Sequence, residues 1–207
     1  HLPGSAITRQ DLYLTADGRL DPGADNEPKD KTFTVRYDLD NQAYFSFWPE
    51  PMDVYGLTFT GTKLERDQAL VGFPLVKLMV TTDQADANVF AYIEDVAPDG
   101  KTTVVSFGRL AASHRASSTA PYDNLGRPWH SGISTAVEAM IPGQAAEISF
   151  ALLPNAWVCK AGHRIRLTIT GADPRQRNLD SFDHANPPQI SLRVGGRDAS
   201  KISVPLA

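Results

Sequence analysis

Hydrophobic and polar positions alternate with a period of two along much of this chain. The stretch 146–170 shows the pattern most clearly, because it contains two alternating runs joined by a segment rich in turn residues. Alternation of this kind is typical of β-strands that bury one face. The alternating apolar positions are Ile148, Phe150 and Leu152 in the first run, and Ile165, Leu167 and Ile169 in the second.

The same pattern predicts about ten strands. The clearest hairpin joins 88–96 to 102–110 through Pro98-Asp99-Gly100, because Asp-Gly supplies the positive φ that a tight turn requires. The more continuous apolar run 73–82 indicates a central strand that is covered on both faces. The other predicted strands lie at 11–14, 32–37, 57–60, 189–194 and 201–206.

The predicted fold is all-β. No amphipathic helix of convincing length occurs, since 135–140 allows at most a turn or two, and parallel βαβ architecture is therefore disfavoured. No internal repeat of 20–50 residues is present, which argues against a solenoid or propeller. We therefore predict an antiparallel jelly-roll β-sandwich, similar to galactose-binding domains, with residues 1–207 forming one domain.

Three irregular segments interrupt the strands, at 38–51, 111–143 and 171–188. Long irregular segments inside a compact domain are usually functional or interface-forming, and we favour an interface for 111–143. The first segment carries several aromatic side chains, which either pack under the domain's own edge or form a docking surface. The candidate interface or ligand residues are Trp48, Trp129, His130, Arg175 and Asn178.

Composition and charge narrow the classes of partner. The chain is 42% hydrophobic and 21% charged, with a formal net charge of -4 and a pI near 5.7. This charge gives no electrostatic footprint for nucleic acid, and no apolar run approaches the roughly 18 residues of a membrane-spanning helix. We therefore expect neither a nucleic acid nor a membrane as partner. The start at His1, without methionine, suggests a fragment or mature chain of something longer.

The sequence holds no recognisable catalytic motif. Cys159 is the one cysteine, so an internal disulfide is excluded, and its apolar neighbours favour a core position over a reactive thiol. No serine lies in a G-x-S-x-G nucleophile elbow, and Ser131, the nearest approach, lacks the first glycine. The scattered histidines show no ligand spacing, and His163, at a strand start, fits a structural hydrogen-bonding role. We expect no catalytic residue and no cofactor.

Two clusters of acidic residues are candidates for a metal-binding site. Asp180, Asp183 and His184 could gather around a cation, since loops readily supply oxygen ligands to hard metals. Asp38 and Asp40 invite a calcium site, but the rest of an EF-hand loop is missing, and turn formation explains them more simply.

Several motifs resemble the C-terminal domain of the X-Pro dipeptidyl-peptidase and cocaine-esterase-like hydrolases. Their order and spacing are similar to the family's across about half the chain, and the strands at 12–20 and 57–64 extend the likeness over the domain. The motifs are Asp86-Ala87-Asn88 before a strand, the D-V-x-P-D-G hairpin at 95–100, the G-x-L-x-A-x-x-R element ending at Arg115, and the K-A-G-H-R-I-R-L run at 160–167.

This resemblance implies a non-catalytic jelly-roll module, because the family's catalytic serine, aspartate and histidine lie in an upstream α/β-hydrolase domain. It implies that the module packs on that domain in the same parent chain, helps to shape the substrate pocket, and in some members supports oligomer contacts. The chain departs from the family in two loops, at Tyr37-Asp38-Leu39-Asp40-Asn41 and at 170–173. The alternative is an independent carbohydrate- or ligand-binding sandwich, motivated by Tyr44, Phe45, Trp48 and Trp129.

Overall fold

The computed structural model describes residues 7–39, 52–176 and 179–207. In these ranges the regular structure consists of β-strands and four short 3₁₀ turns. The strands are β1 (Thr8–Leu14), β2 (Arg19–Asp21), β3 (Lys29–Thr34), β4 (Gly56–Gly61), β5 (Gln68–Gly72), β6 (Leu75–Thr82), β7 (Asn88–Val96), β8 (Thr102–Ala111), β9 (Ala146–Ala151), β10 (Asn155–Cys159), β11 (Arg164–Thr170), β12 (Gln189–Val194) and β13 (Lys201–Leu206).

The strands form one hydrogen-bonded network that folds over itself as a jelly-roll sandwich. The central path runs β3-β12-β6-β13-β1-β2-β4-β11-β7-β8, while β9 pairs with β6 and β10 pairs with β5. Within the described ranges, every strand pairing is antiparallel except the short parallel contact between β2 and β4. The predicted all-β antiparallel sandwich is therefore confirmed.

A single large core lies between the layers. Leu78 of β6 and Ile148 of β9 belong to the same buried cluster as Ile93 of β7 and Leu167 of β11, and all four side chains are almost completely buried. These positions alternate with less buried ones along most strands, which is why the period-two pattern is visible in the sequence.

The predicted hairpin is present as β7 and β8. Gly100 has a φ of +89° in its turn, and its N–H donates to the Ala97 carbonyl over 2.9 Å. Pairing runs from Asn88 with Ala111 to Val96 with Thr102, and a β-bulge follows Ile93. The bulge changes the alternation on β8, so the outward side chains there cannot be read by simple counting.

Two predictions about the strands need correction. Thirteen strands are present in the described ranges rather than about ten, because β2, β5 and β10 are too short or too mixed to stand out as alternating runs. The interpretation of 146–170 as two runs joined by a turning segment is wrong, since β10 (Asn155–Cys159) lies between them and pairs with β5. Consequently β9 pairs with β6, and β11 lies between β4 and β7.

A second, smaller cluster covers the outer face of β7 and β8. Met52, Phe90 and Tyr92 are buried there, with Tyr55 and Phe107 packed against them. Phe90 and Tyr92 stand on alternate positions of β7, opposite in direction to the core residues Val89, Ala91 and Ile93. Both faces of the β7-β8 hairpin are therefore apolar, and the outer face carries the cleft described next.

Candidate functional site

A cleft of about 1050 Å³ lies on the outer face of the β7-β8 hairpin. One wall comes from the segment that follows β9, and the opposite wall comes from the irregular segment after β11. The lining residues are Asn88, Phe90, Phe107, Gly108, Arg109, Arg127, Ala151, Leu152, Leu153, Pro154, Asp173, Arg175, Gln176 and Phe182.

Stacked aromatic rings form the base of this region. The ring centroids of Phe90 and Tyr92 lie 6.5 Å apart, and those of Tyr92 and Phe107 lie 6.4 Å apart, with nearly parallel planes in both pairs. Phe182, on the opposite wall, stacks on Tyr37 at 4.8 Å. Such rings supply large apolar contact area at low conformational cost, so the cleft is suited to apolar as well as polar groups.

Asp173 fixes the wall that follows β11. Its carboxylate accepts a hydrogen bond from the Tyr92 hydroxyl over 2.6 Å and one from the Arg175 backbone N–H over 2.7 Å. Burial raises the pKa of Tyr92 well above its ordinary value, and the neighbouring Asp173 charge raises it further. Tyr92 is therefore a neutral donor throughout the physiological pH range, and it ties the segment to the sheet.

Three arginines surround the cleft. The Arg175 guanidinium lies 5.2 Å from the Phe107 ring centroid, and its Nε is 3.7 Å from the Asp173 carboxylate. Arg127 donates from Nε to the Asn124 carbonyl over 2.9 Å. Arg109 projects from β8 with an exposed side chain. The cleft thus combines aromatic faces with positive charge.

Further along the same outer face, Glu94 is completely buried. It accepts hydrogen bonds from the Thr168 hydroxyl over 2.5 Å and from the Met52 backbone N–H over 3.2 Å. Burial raises the pKa of the Glu94 carboxyl, while these two donors and the nearby Arg166 work in the opposite direction. Glu94 therefore anchors the segment at Met52 to the sheet through a carboxyl that burial makes harder to ionise.

The predicted site residues fall into three places. Arg175 lines the main cleft. His130 lines an adjoining recess of about 350 Å³, which shares Asn88, Phe90, Arg109 and Gln176 with the cleft. Trp129 lines a different recess, of about 460 Å³, which touches the main cleft at Arg127. Trp48 and Asn178, together with Tyr44, Phe45 and Phe47, lie outside the described residues.

His130 and His163 both make structural hydrogen bonds. The two ring nitrogens of His130 face the carbonyl oxygens of Ala116 and Ser149, at 3.2 and 2.9 Å, and so attach the long irregular segment to β9. His163 Nδ1 lies 2.8 Å from the Asp95 carboxylate, which agrees with the structural role expected for it.

Of the residues considered for a cation, Asp38, Asp183 and His184 make local contacts, and Asp40 lies outside the described residues. Asp183 accepts hydrogen bonds from Ala185 and Asn186, and His184 lies 2.9 Å from the Leu179 carbonyl. Asp38 pairs with Arg36 at 3.1 Å. Over residues 7–39, 52–176 and 179–207, no group of three or more His, Cys, Asp or Glu side chains is placed to hold a metal ion.

Cys159 is a core residue, as expected. Its side chain is buried in the main cluster, and burial raises the pKa of its thiol to about 12. Within the part of the chain that the structure describes, no helix is long and apolar enough to cross a membrane.

Sequence reasoning missed Phe90, Phe107 and Arg109 as cleft residues. All three lie in the correctly predicted hairpin, where they stand among apolar positions that alternation assigns to the core. A usable signal was available: β7 is apolar on both of its faces, which indicates that something covers the second face.

Comparisons with known proteins agree with this architecture. The chain is 31% identical over 185 residues to Mb1866c of Mycobacterium bovis, which is named as a candidate serine esterase, and the match covers 80% of this chain and 29% of that protein. A protein of Mycobacterium tuberculosis, MT1883, matches with the same values. The chain therefore spans less than a third of the length of these curated relatives.

Solved structures show the same fold. A CocE/NonD family hydrolase from Staphylococcus aureus superposes with a TM-score of 0.73 at 18% identity, covering 100% of this chain and 38% of that one. An α-amino acid ester hydrolase superposes with a TM-score of 0.72 at 17% identity, covering 99% of this chain and 37% of that one.

The sequence model of one family matches residues 1–183, which is most of the chain. This chain therefore belongs to the family of X-Pro dipeptidyl-peptidase C-terminal non-catalytic domains.

Proposed function

We propose that this chain is the C-terminal β-sandwich of a serine hydrolase and that it packs on an α/β-hydrolase domain of the same parent chain. Membership of a non-catalytic domain family supports this proposal, as does the much greater length of the curated relatives. In this proposal the chemistry belongs to the other domain, and this domain supplies a docking face.

The observation that carries the proposal is a set of five exposed apolar side chains on the long irregular segment. Exposed apolar groups gathered in one segment mark an interaction surface more often than scattered ones do. The side chains, with their exposed fractions, are Tyr122 (58%), Leu125 (67%), Ile133 (57%), Val137 (45%) and Ile141 (65%).

This segment is held in place although it lacks strands. The His130 ring spans two carbonyl groups, the Arg115 guanidinium hydrogen-bonds the Glu138 carbonyl, and the Met140 N–H donates to the Ala85 carbonyl over 2.7 Å. A segment anchored in this way presents its apolar groups with little entropy left to lose on docking. We define the docking face as residues 112–143 together with the cleft.

Docking on this face would also shape a pocket. A second domain placed against the cleft would face a lining that includes aromatic rings and arginines. Substrate pockets commonly lie between domains. We therefore propose that the module contributes one wall of the hydrolase's substrate pocket.

Two measurements test the proposal. The isolated 207-residue chain should hydrolyse neither acyl esters nor X-Pro peptides and should not react with a fluorophosphonate probe; stoichiometric labelling would overturn the proposal. In the parent protein, deletion of this module should lower kcat/KM or stability while the hydrolase domain remains labelled by the same probe. Unchanged kinetics and stability would remove the docking role.

A second candidate function is an independent ligand-binding module. The recess at Trp129 favours it, because a Trp side chain there lies beside Arg115, Glu147 and Ser149, a mixture that can stack on and hydrogen-bond a sugar. Calorimetric titration of the isolated chain with a panel of glycans distinguishes the two functions, since the hydrolase module is expected to bind none of them.

A further inference from the structure

We infer that the cleft receives an acidic segment of the hydrolase domain, one that brings at least one carboxylate between Arg109, Arg127 and Arg175. This inference rests on the proposed docking function and adds the chemistry of the contact. It predicts that the centre of the interface is electrostatic, with the exposed apolar side chains of 112–143 arranged beside it.

The charge of the cleft is the first argument. Among the described residues, its lining includes three arginines and one carboxylate, that of Asp173, which is 4% exposed and already accepts hydrogen bonds from Tyr92 and Arg175. The whole chain carries a formal net charge of -4, so a local excess of positive charge runs against the overall balance. Complementary charge is a means of choosing and orienting a partner.

The second argument is that two of these arginines have no acidic partner among the residues that the structure describes. Among residues 7–39, 52–176 and 179–207, neither Arg109 nor Arg127 forms an ion pair. Most arginines that do pair in these ranges sit close to an aspartate or glutamate on a neighbouring residue or strand. A carboxylate of a docked partner would give Arg109 and Arg127 an ion-pair partner.

The third argument is that the guanidinium groups of Arg127 and Arg175 are positioned before any partner arrives. Arg127 and Arg9 both lie over the Phe73 ring, at 5.5 and 4.8 Å from its centroid, and Arg127 is also held by the Asn124 carbonyl. Arg175 lies over Phe107. Side chains fixed in this way lose little rotamer freedom when they bind, so an ion pair made to them is more favourable than one to a mobile surface arginine.

The size of the cleft decides between a chain segment and a small anion. At about 1050 Å³ it is at the upper end of the range of small-molecule sites, so a simple carboxylate would fill only a small part of it. Its mouth also carries the 55% exposed side chain of Leu153. An extended segment that combines carboxylate with apolar side chains fits both the arginines and the aromatic base.

The test uses the 207-residue chain and the separately produced hydrolase portion of its parent. The wild-type chain should bind that portion, and binding should weaken as salt is raised, because salt screens the attraction between the arginines and the incoming acidic segment. The R109E/R127E double variant should lose at least about 30-fold in affinity. R197E is the matched control, because Arg197 is exposed but does not line the cleft, and its affinity should equal that of wild type.

A second measurement identifies the acidic segment and does not depend on the folding of the double variant. R109K keeps the positive charge and introduces a primary amine, which a carbodiimide couples directly to a carboxylate in contact with it. Mass spectrometry should then find an amide linking position 109 to an aspartate or glutamate of the hydrolase portion. Coupling only to carboxylates of this chain would overturn the inference.

The outcomes separate the two proposals. If the wild-type chain binds the hydrolase portion and R109E/R127E binds equally well, the docking function stands and the acidic-segment inference fails. If the wild-type chain does not bind at all, both fail. Micromolar binding of phenylacetate to the isolated chain, lost in the double variant, would assign the cleft to a small carboxylate instead and would also overturn the inference.

Discussion

His163 donates a hydrogen bond from Nδ1 to the Asp95 carboxylate over 2.8 Å, because an imidazole nitrogen that faces a carboxylate carries the proton. This contact joins two of the sequence motifs on which the family resemblance rests, the one that begins the β7-β8 turn and the one that begins β11. The other carboxylate oxygen of Asp95 accepts from the Trp157 indole N–H over 2.9 Å. Three strands are thus tied by a carboxyl that is only 6% exposed.

Removal of either donor should destabilise the chain. H163A and W157F should each lower the free energy of unfolding by about 1–3 kcal/mol, because each takes a partner from a buried carboxylate. The double variant should deviate from additivity by about 0.5 kcal/mol or more, since both donors share Asp95. Urea denaturation of the four proteins measures the cycle.

W129F is the matched control for W157F, because the Trp129 indole makes no hydrogen bond to any residue that the structure describes. Its unfolding midpoint should stay close to that of wild type. Strict additivity of H163A and W157F would contradict the shared role of Asp95.

Gly56 should tolerate no side chain. A Cβ built on it would lie 2.0 Å from the Ile169 carbonyl oxygen, and the backbone of β4 or β11 would have to move. We expect G56A to lower the free energy of unfolding by about 1–3 kcal/mol or more. At Gly23 nothing lies within 4 Å of an added Cβ, so G23A should change stability by less than about 0.5 kcal/mol. Equal urea midpoints for the two variants would contradict this close approach.

Much of the fold could be predicted from the sequence, because a strand that buries one face alternates apolar and polar residues. The hairpin of β7 and β8, the central strand β6 and the last two strands were all predicted within a few residues of their positions. β10 was missed because Trp157 and Cys159 face inward between turn-forming residues, so a five-residue strand had the composition of a loop. Strand pairing across the sandwich depends on contacts distant in sequence and leaves no local pattern.

The candidate site could be predicted only in part, because a local sequence pattern does not show which residues face a cleft. Arg175 is among the interface or ligand residues predicted from the sequence, and it lines the cleft. Phe90 and Phe107 were not, because an aromatic residue on a strand has the same sequence signature whether it faces the core or a cleft. The unusual position of Glu94, fully buried in an apolar strand, also required the structure.

Glu94 should make stability depend on pH in a direction opposite to that of a paired surface carboxylate. Its pKa is raised in the folded chain above the ordinary value of 4.5, so the folded state binds its proton more tightly than the unfolded state does. The contribution of Glu94 to folding stability is therefore complete at pH values below its pKa in the unfolded chain. It is lost as the pH rises through its higher pKa in the folded chain. The stability of E94Q minus that of wild type should grow as pH rises from about 4 to about 8.

T168V sharpens this test. It removes the hydroxyl that donates to the Glu94 carboxylate, so ionisation becomes still less favourable, and the variant should be more destabilised at high pH than at low pH. Chemical denaturation across the pH range measures both variants. A difference between E94Q and wild type that stays constant with pH would show that Glu94 does not titrate in this way.

Trp129 should serve docking rather than folding. It lies in a surface recess on the docking face, beside Arg127 and Glu147, and it is not a member of either buried cluster. W129A should therefore keep the thermal transition within a few degrees of wild type, as expected for a loss of less than about 1 kcal/mol. Its affinity for the hydrolase portion should fall by about tenfold or more, since truncated aromatic residues at interfaces commonly cost over 1 kcal/mol. Loss of the thermal transition would instead make Trp129 a core residue, and unchanged affinity would remove it from the docking face.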